Sequence, residues 1–338
     1  MTKDNQPKFD NPSLAVDHPE LHHYTTGGGL AGILASNTLW ATHFSDLNDS
    51  SEVKLIQAPL KEALTARCKR LVIEHQPRNL AHMNNVRKLG GPEKVADNLA
   101  QGLVNALYQV TFESDEEKRF GAPFITSFCS HAADQPYERG HGLLSQWRGY
   151  GRDGGYCIVF DTGKLIELLS LEFSAFDYVH LDFSTARYGD KNDDVSLLFP
   201  ELVQWLEHFV SETLKGNKEP SGGKGLGEFL TGATMFKHRG FHEEREVRIV
   251  AMPGSKELQA QMLHEDEQLK LRPLKPIDFP DERGGKRHIS LFQGLEITLP
   301  IKRIIVGPSR DQQGNVSKAR DLLGSNISIS ESETPFIG

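Results

Sequence analysis

The run HEEREVRIV, residues 242–250, alternates so that Glu244, Glu246 and Arg248 fall on one side of an extended chain and Val247 and Ile249 on the other. The pattern predicts a strand with one face on a core and the other carrying two carboxylates and a guanidinium. Same-face neighbours on a strand stand about 7 Å apart, so Arg248 can hold one carboxylate while the second stays available for chemistry. An edge strand with a solvated outer face is the plainer reading of the same residues.

The same periodicities lay out the rest of the chain. LHHYTT, from Leu21, reads as a strand, Gly27 to Gly29 as a turn, and LAGILASN as a helix with Leu30, Ile33 and Leu34 inward. LWATHFSDLND, from Leu39, reads as a second strand entering a polar turn. Two helical segments, 51–75 and 92–108, then interrupt the β pattern as an insertion. β character returns at PFITSFCS (123–130), followed by a short helix over 143–147 and the strand GYCIVFD (155–161). The amphipathic stretch LLFPELVQWLEHFVSETL, a loop at EPSGGKGLG and a helix over 226–237 lead to the Glu-rich strand. Residues 253–293 mix charge clusters with Pro and Gly and predict loops with one strand at HISLF. IKRIIVGP, NVSKARDLLGS and ISISES close the pattern as strand, helix, strand. The predicted fold is α+β: a single mixed-sheet domain over 21–330, with helical insertions at about 51–108 and 195–236, a flexible leader at 1–20 and a tail at 331–338.

Composition narrows the function classes. With 338 residues, 38% apolar and 25% charged, the chain can bury one large core or two ordinary ones. A formal net charge of −8 gives no general attraction to nucleic acid or anionic membrane and leaves only a local basic cleft as a route to either. Cys68, Cys129 and Cys157 lack metal-ligand spacing and suit the reduced thiols of a cytoplasmic protein. The opening residues carry no signal-like apolar region and no apolar run is long enough to span a bilayer, so a cytoplasmic protein with no membrane partner is expected.

Several motifs fail on context. Gly149, Gly151 and Gly154 match G-x-G-x-x-G, but they follow a helix and precede a strand, the reverse of a dinucleotide fingerprint. P-loop, zincin and G-x-S-x-G signatures are missing. His43, Asp46, Asn48, Asp49 and Glu52 lack the spacing and glycine of a calcium loop, so no metal is expected, and Asn48 and Asp49 read as turn formers. What remains are polar and aromatic residues at strand ends. His23, Tyr24 and Thr25 precede a glycine turn and a helix start, where free N–H groups favour an anion such as a pyrophosphate; a core histidine beside a packed Tyr is the alternative. Ser127 lies on the PFITSFCS strand. Trp147 and Tyr150 share a helix-end face and form either a core anchor or an aromatic wall for a flat ring.

The succession HYTT, LWATHFSDLNDSSE, FITSFCS, LSQWRGYGRDGGYCIVFD, RYGD, FKHRGFHEEREVRI and IKRIIVGP resembles the bacterial family called domain of unknown function 2971, from about Leu21 to Ile329. The opening HYT, glycine, helix and LWAT also resemble the start of ADP-ribosyltransferase folds, particularly their DNA-targeting toxin branch. That second resemblance implies NAD as substrate. It places the ribose contact on His23, a strand Ser or Tyr contact on Ser127 or Tyr150, and the catalytic Glu of an E-x-E pair on Glu246 with Glu244. Cleavage of the nicotinamide-ribose bond passes through an oxocarbenium-like state, so Glu246 would stabilise the ribose, Glu244 would orient or deprotonate the acceptor, and Arg248 would keep one carboxylate ionised. Tyr24 or Trp147 would stack on the nicotinamide. The expected function is an NAD-consuming ADP-ribosyltransferase-like enzyme modifying nucleic acid or protein, as a toxin or phage-defence effector. A non-catalytic nucleotide- or nucleic-acid-binding module and a metal-dependent nuclease are the alternatives.

Overall fold

The structure, a computed structural model, describes residues 12–49, 51–74, 84, 86–112, 121–131, 134–151, 154–217, 222–280, 285–323 and 327–335. Its strands are β1 (Glu20–Thr25), β2 (Leu39–His43), β3 (Phe124–Cys129), β4 (Tyr156–Asp161), β5 (Tyr178–Thr185), β6 (Arg187–Gly189), β7 (Phe236–His238), β8 (Glu246–Pro253), β9 (His288–Leu291), β10 (Ile301–Val306) and β11 (Ser328–Glu331). Nine of them form one mixed sheet. Its main path runs β11-β10-β4-β1-β3-β2-β9, and β8 and β5 branch from β3. Only the β10–β11 pair of this sheet is parallel; β6 and β7 form a separate parallel pair.

Alternation along the strands sends Leu21, Phe124, Phe128, Ile158, Phe160, Val247 and Ile249 to one face, where helices Gly27–Ser36, Thr162–Ala175 and Gln312–Leu323 cover them. The opposite face carries a second core. There the predicted insertions, as helices Gln57–Glu74, Gly91–Phe112, Pro200–Lys215 and Gly222–Met235, pack on one another and on Ile125 and Val250. The insertions therefore form one layer of a helix–sheet–helix domain, because each has an apolar stripe that only the others and the sheet can bury.

Several elements differ from the pattern read along the chain. The Glu-rich strand starts at Glu246, not at His242: Arg239–Glu244 is a 3-10 turn and Arg245 is left-handed, with φ 43°. Gly27 to Gly29 are the first turn of a helix capped by Thr26, whose Oγ1 accepts from the Gly29 N–H at 3.2 Å. Helix Gly222–Met235 begins inside the glycine-rich loop and stops before Lys237, which lies on β7. Residues Lys256–Glu265, read as loop, are helical. At the ends, Pro12–Asp17 is a helix with Leu14 in the core, while 1–11 and 336–338 lie outside the described residues. All three cysteines are free and buried. No helix among the described residues is long and apolar enough to cross a membrane.

Candidate active site

Strand β3 is paired along one whole edge with β8, from Phe124↔Ala251 to Cys129↔Glu246. Its other edge is shared by two strands that part. β2 takes its start, at Phe124 and Ile125, and β1 takes its end, at Cys129. Backbone polar groups left between them need other partners. The Ser127 carbonyl faces His23 Nδ1 at 3.1 Å, and Thr126 Oγ1 donates to the Trp40 carbonyl at 2.7 Å. A cavity of about 340 Å³ lies over this split, within the usual range for a ligand pocket. Register fixes which side chains face it: Ser127 and Cys129 share a face with Arg248 and Glu246, and His22 with Cys129. His23 points to the other face, against Phe128, and reaches the cavity only through the split.

The floor is a buried ion network. Glu246 Oε1 accepts from Arg248 Nε at 2.8 Å, and its Oε2 accepts from Arg248 Nη2 at 2.9 Å and Lys237 Nζ at 2.6 Å. Lys237 also donates to Glu244 Oε2 at 2.6 Å, and Arg248 to Glu52 Oε2 at 2.6 Å and the Thr234 carbonyl at 2.6 Å. Tyr188 Oη accepts from the Glu246 N–H. Three carboxylates against two cations leave the network one negative charge. Burial alone would push the Glu246 carboxyl up, but Arg248 and Lys237 bring it down to about 2. Glu244, less buried and bonded to one cation only, goes the other way: burial, with Glu246 and Glu52 nearby, raises it in spite of Lys237. Desolvation lowers His23, and takes His22 down to about 3, so neither ring is charged near neutral pH.

The walls sort the remaining candidates. Tyr24 lines the cavity, with its Oη accepting from the Leu143 N–H at 2.7 Å and its ring edge-on to Trp147. Trp147 itself is fully buried: its Nε1 donates to the His141 carbonyl at 2.9 Å and its ring lies against Gly142, where a Cβ would come within 2.7 Å. It is the core anchor, and Tyr150, exposed on the cavity wall, is the aromatic half of that pair that faces a ligand. Thr25 does not line the cavity, and the helix start it was expected to build lies outside the lining. The cavity thus gathers His23, Tyr24, Ser127, Tyr150, Glu244, Glu246 and Arg248.

Lys237, whose place in the sequence suits a phosphate contact or a solvated helix end, is instead an internal cation, and Glu52 as a floor residue and Trp40 as a wall went unread. Trp40 carried a signal, since alternation in LWATH buries Leu39, Ala41 and His43 and leaves the indole outward. Asn48 and Asp49, read as turn formers, also line the cavity. Among the described residues, no group of three His, Cys, Asp or Glu is arranged to hold a metal ion.

The segment from Gln146 through β8 carries the whole ion network except Glu52. Residues 146–249 match the family model described as Protein of unknown function (DUF2971). The match supports the first resemblance drawn from the sequence, over a shorter stretch, and takes in Tyr150, Lys237, Glu244, Glu246 and Arg248. The walls from β1, β2 and β3 lie outside it. No curated protein and no solved structure matches the chain.

Proposed function

We propose that the cavity binds a nucleotide of the NAD class and cleaves its nicotinamide-ribose bond, transferring ADP-ribose to an acceptor or to water in the cytoplasm. The observation that carries this reading is the pair of carboxylates whose surroundings drive their pKa values apart, Glu246 down to about 2 and Glu244 upward. As the C1′–N bond breaks, its electron pair neutralises the nicotinamide ring, and positive charge develops on the ribose. The net negative floor stabilises that charge more than it stabilises the ground state. Glu244 then takes the proton from the attacking hydroxyl, amine or water, since a base with a raised pKa is a stronger one. Arg248 and Lys237 position Glu246 and stop the network from discharging by protonation. Tyr150 flanks the flat ring.

Nicotinamide release from NAD, followed by chromatography for the wild type and Glu244→Gln, tests the reading. Release by the wild type that falls by at least about a hundredfold in the variant supports it, in line with loss of a general base. No release with DNA, RNA or lysate present sinks it. A second reading, a nucleotide-binding module without turnover, draws on one feature: both oxygens of Glu246 are already engaged by cations. Saturable nucleotide binding without product favours that module.

A further inference from the structure

The proposed reaction makes no use of Trp40. Its side chain is 57% exposed, an unusual state for an indole beside a cavity. It is nevertheless held. Its residue pairs with Ser290 of β9, and its carbonyl accepts from Thr126 Oγ1. His288, its diagonal neighbour across the β2–β9 ladder, covers one ring face with centroids 4.1 Å apart and planes tilted by 31°. His288 is held in turn by the Lys286 carbonyl at 3.0 Å from Nδ1 and by a two-way backbone pairing with Asp278, at 2.8 and 3.0 Å. One face of a rigid indole is therefore packed, while the side chain stays largely exposed at the cavity.

We propose that Trp40 is a stacking subsite for a purine base, so that the cavity takes a dinucleotide with one ring system over the carboxylates and the other on the indole. A ring already immobilised by His288 loses little entropy when a base stacks on it. The cavity volume, about 340 Å³, lies near the lower end for ligand pockets, so the second half of a dinucleotide extends to the rim. A small nucleotide suits that rim better than a polyanionic strand: Lys286 is hydrogen-bonded to Asn48 Oδ1 at 3.1 Å, Arg287 is bound to Asp46, and the chain carries a net charge of −8. The inference deepens the NAD reading and rests on it for the ring inside the cavity, not for the stack.

Calorimetric and fluorescence titrations of the wild type, Trp40→Phe and Trp40→Ala with NAD, AMP and nicotinamide mononucleotide test it. Of the three tryptophans, Trp147 is fully buried and Trp205 is stacked on Phe209, so quenching by a base reports on Trp40. The expected result is quenching by NAD and AMP, a loss of about tenfold in affinity for both in Trp40→Ala, and retention within about threefold in Trp40→Phe. Nicotinamide mononucleotide, which has no purine, should bind both variants like the wild type. Undiminished NAD or AMP binding by Trp40→Ala overturns the subsite, as does absence of AMP binding to the wild type. AMP binding through Trp40 without any nicotinamide release keeps the subsite and removes the transferase. Nicotinamide release with unchanged binding in Trp40→Ala does the reverse.

Discussion

Replacing Glu246 with Gln should lower stability by about 3 kcal/mol at pH 7, and the loss should shrink as the pH falls. A carboxyl that titrates near 4.5 in the unfolded chain and at about 2 in the fold contributes that amount through linkage. Because the folded value is the lower one, the contribution is complete above the unfolded value and disappears as pH drops through the folded one. About 2 kcal/mol remains at pH 3.5. Gln resembles the protonated carboxyl, so the difference between wild type and variant takes the sign and direction of this curve. Glu244 carries the opposite sign. Its folded pKa is raised, so ionisation opposes folding above the ordinary carboxylate range, and Glu244→Gln should be at least as stable as the wild type at pH 7. Urea unfolding of the three proteins at pH 7 and pH 3.5 measures both effects. A Glu246→Gln penalty below about 1 kcal/mol at pH 7, or one that does not change with pH, would refute the assignment of Glu246 as the pinned centre of the network.

Three further outcomes follow from the same geometry. If Glu244 is the base of the proposed reaction, turnover should decline on the acid side at a higher pH than an ordinary glutamate would give; a pH profile of kcat/KM checks this, and an acid limb at or below the ordinary value removes Glu244 from that role. Arg245→Gly should keep stability within about 1 kcal/mol of the wild type, whereas Arg245→Val should cost about 1–2 kcal/mol more, since φ 43° suits glycine and opposes a β-branched residue; equal thermal unfolding of the two variants contradicts the turn. Nicotinamide release should persist undiminished in excess EDTA, and its loss there would move the chemistry to a metal-dependent phosphodiesterase.

How much of the site was legible depended on how local its cause was. Glu246, Arg248 and Val247 declare themselves because strand alternation is a two-residue rule, and β8 obeys it. Glu52 could not be read, since its contact with Arg248 spans 196 positions and arises only when the first helical insertion folds over the sheet. Trp147 and Trp40 differ in the same way. Burial of Trp147 depends on close approach of Gly142, Gly151 and Gly307, which no spacing announces, whereas Trp40 sits on the outward phase of a strand that can be read directly. Helix Gly222–Met235 was shortened in the reading by its glycines, yet Gly225 is where Trp205 of the neighbouring helix comes closest, a place where a Cβ would meet the ring at 2.1 Å. Helix Lys256–Glu265 went unread because Leu258 is its one buried residue.

The opposite behaviour expected of Glu244 and Glu246 traces to where the strand begins. Within β8, Glu246 is fixed by pairing with β3, by the Tyr188 hydroxyl and by two cations, so its charge belongs to the structure as much as to any ligand. Glu244 lies two residues earlier, beyond the left-handed turn at Arg245 and outside the ladder, with one bond to Lys237 and a place on the cavity wall. A residue whose ionisation opposes folding persists at little structural gain, which is the relation expected between stability and a reactive group. If Glu244→Gln proves both more stable and inactive while Glu246→Gln proves less stable, the division between the carboxylate that holds the floor and the one that reacts follows. Equal losses of stability in both variants would instead make the pair a single structural unit.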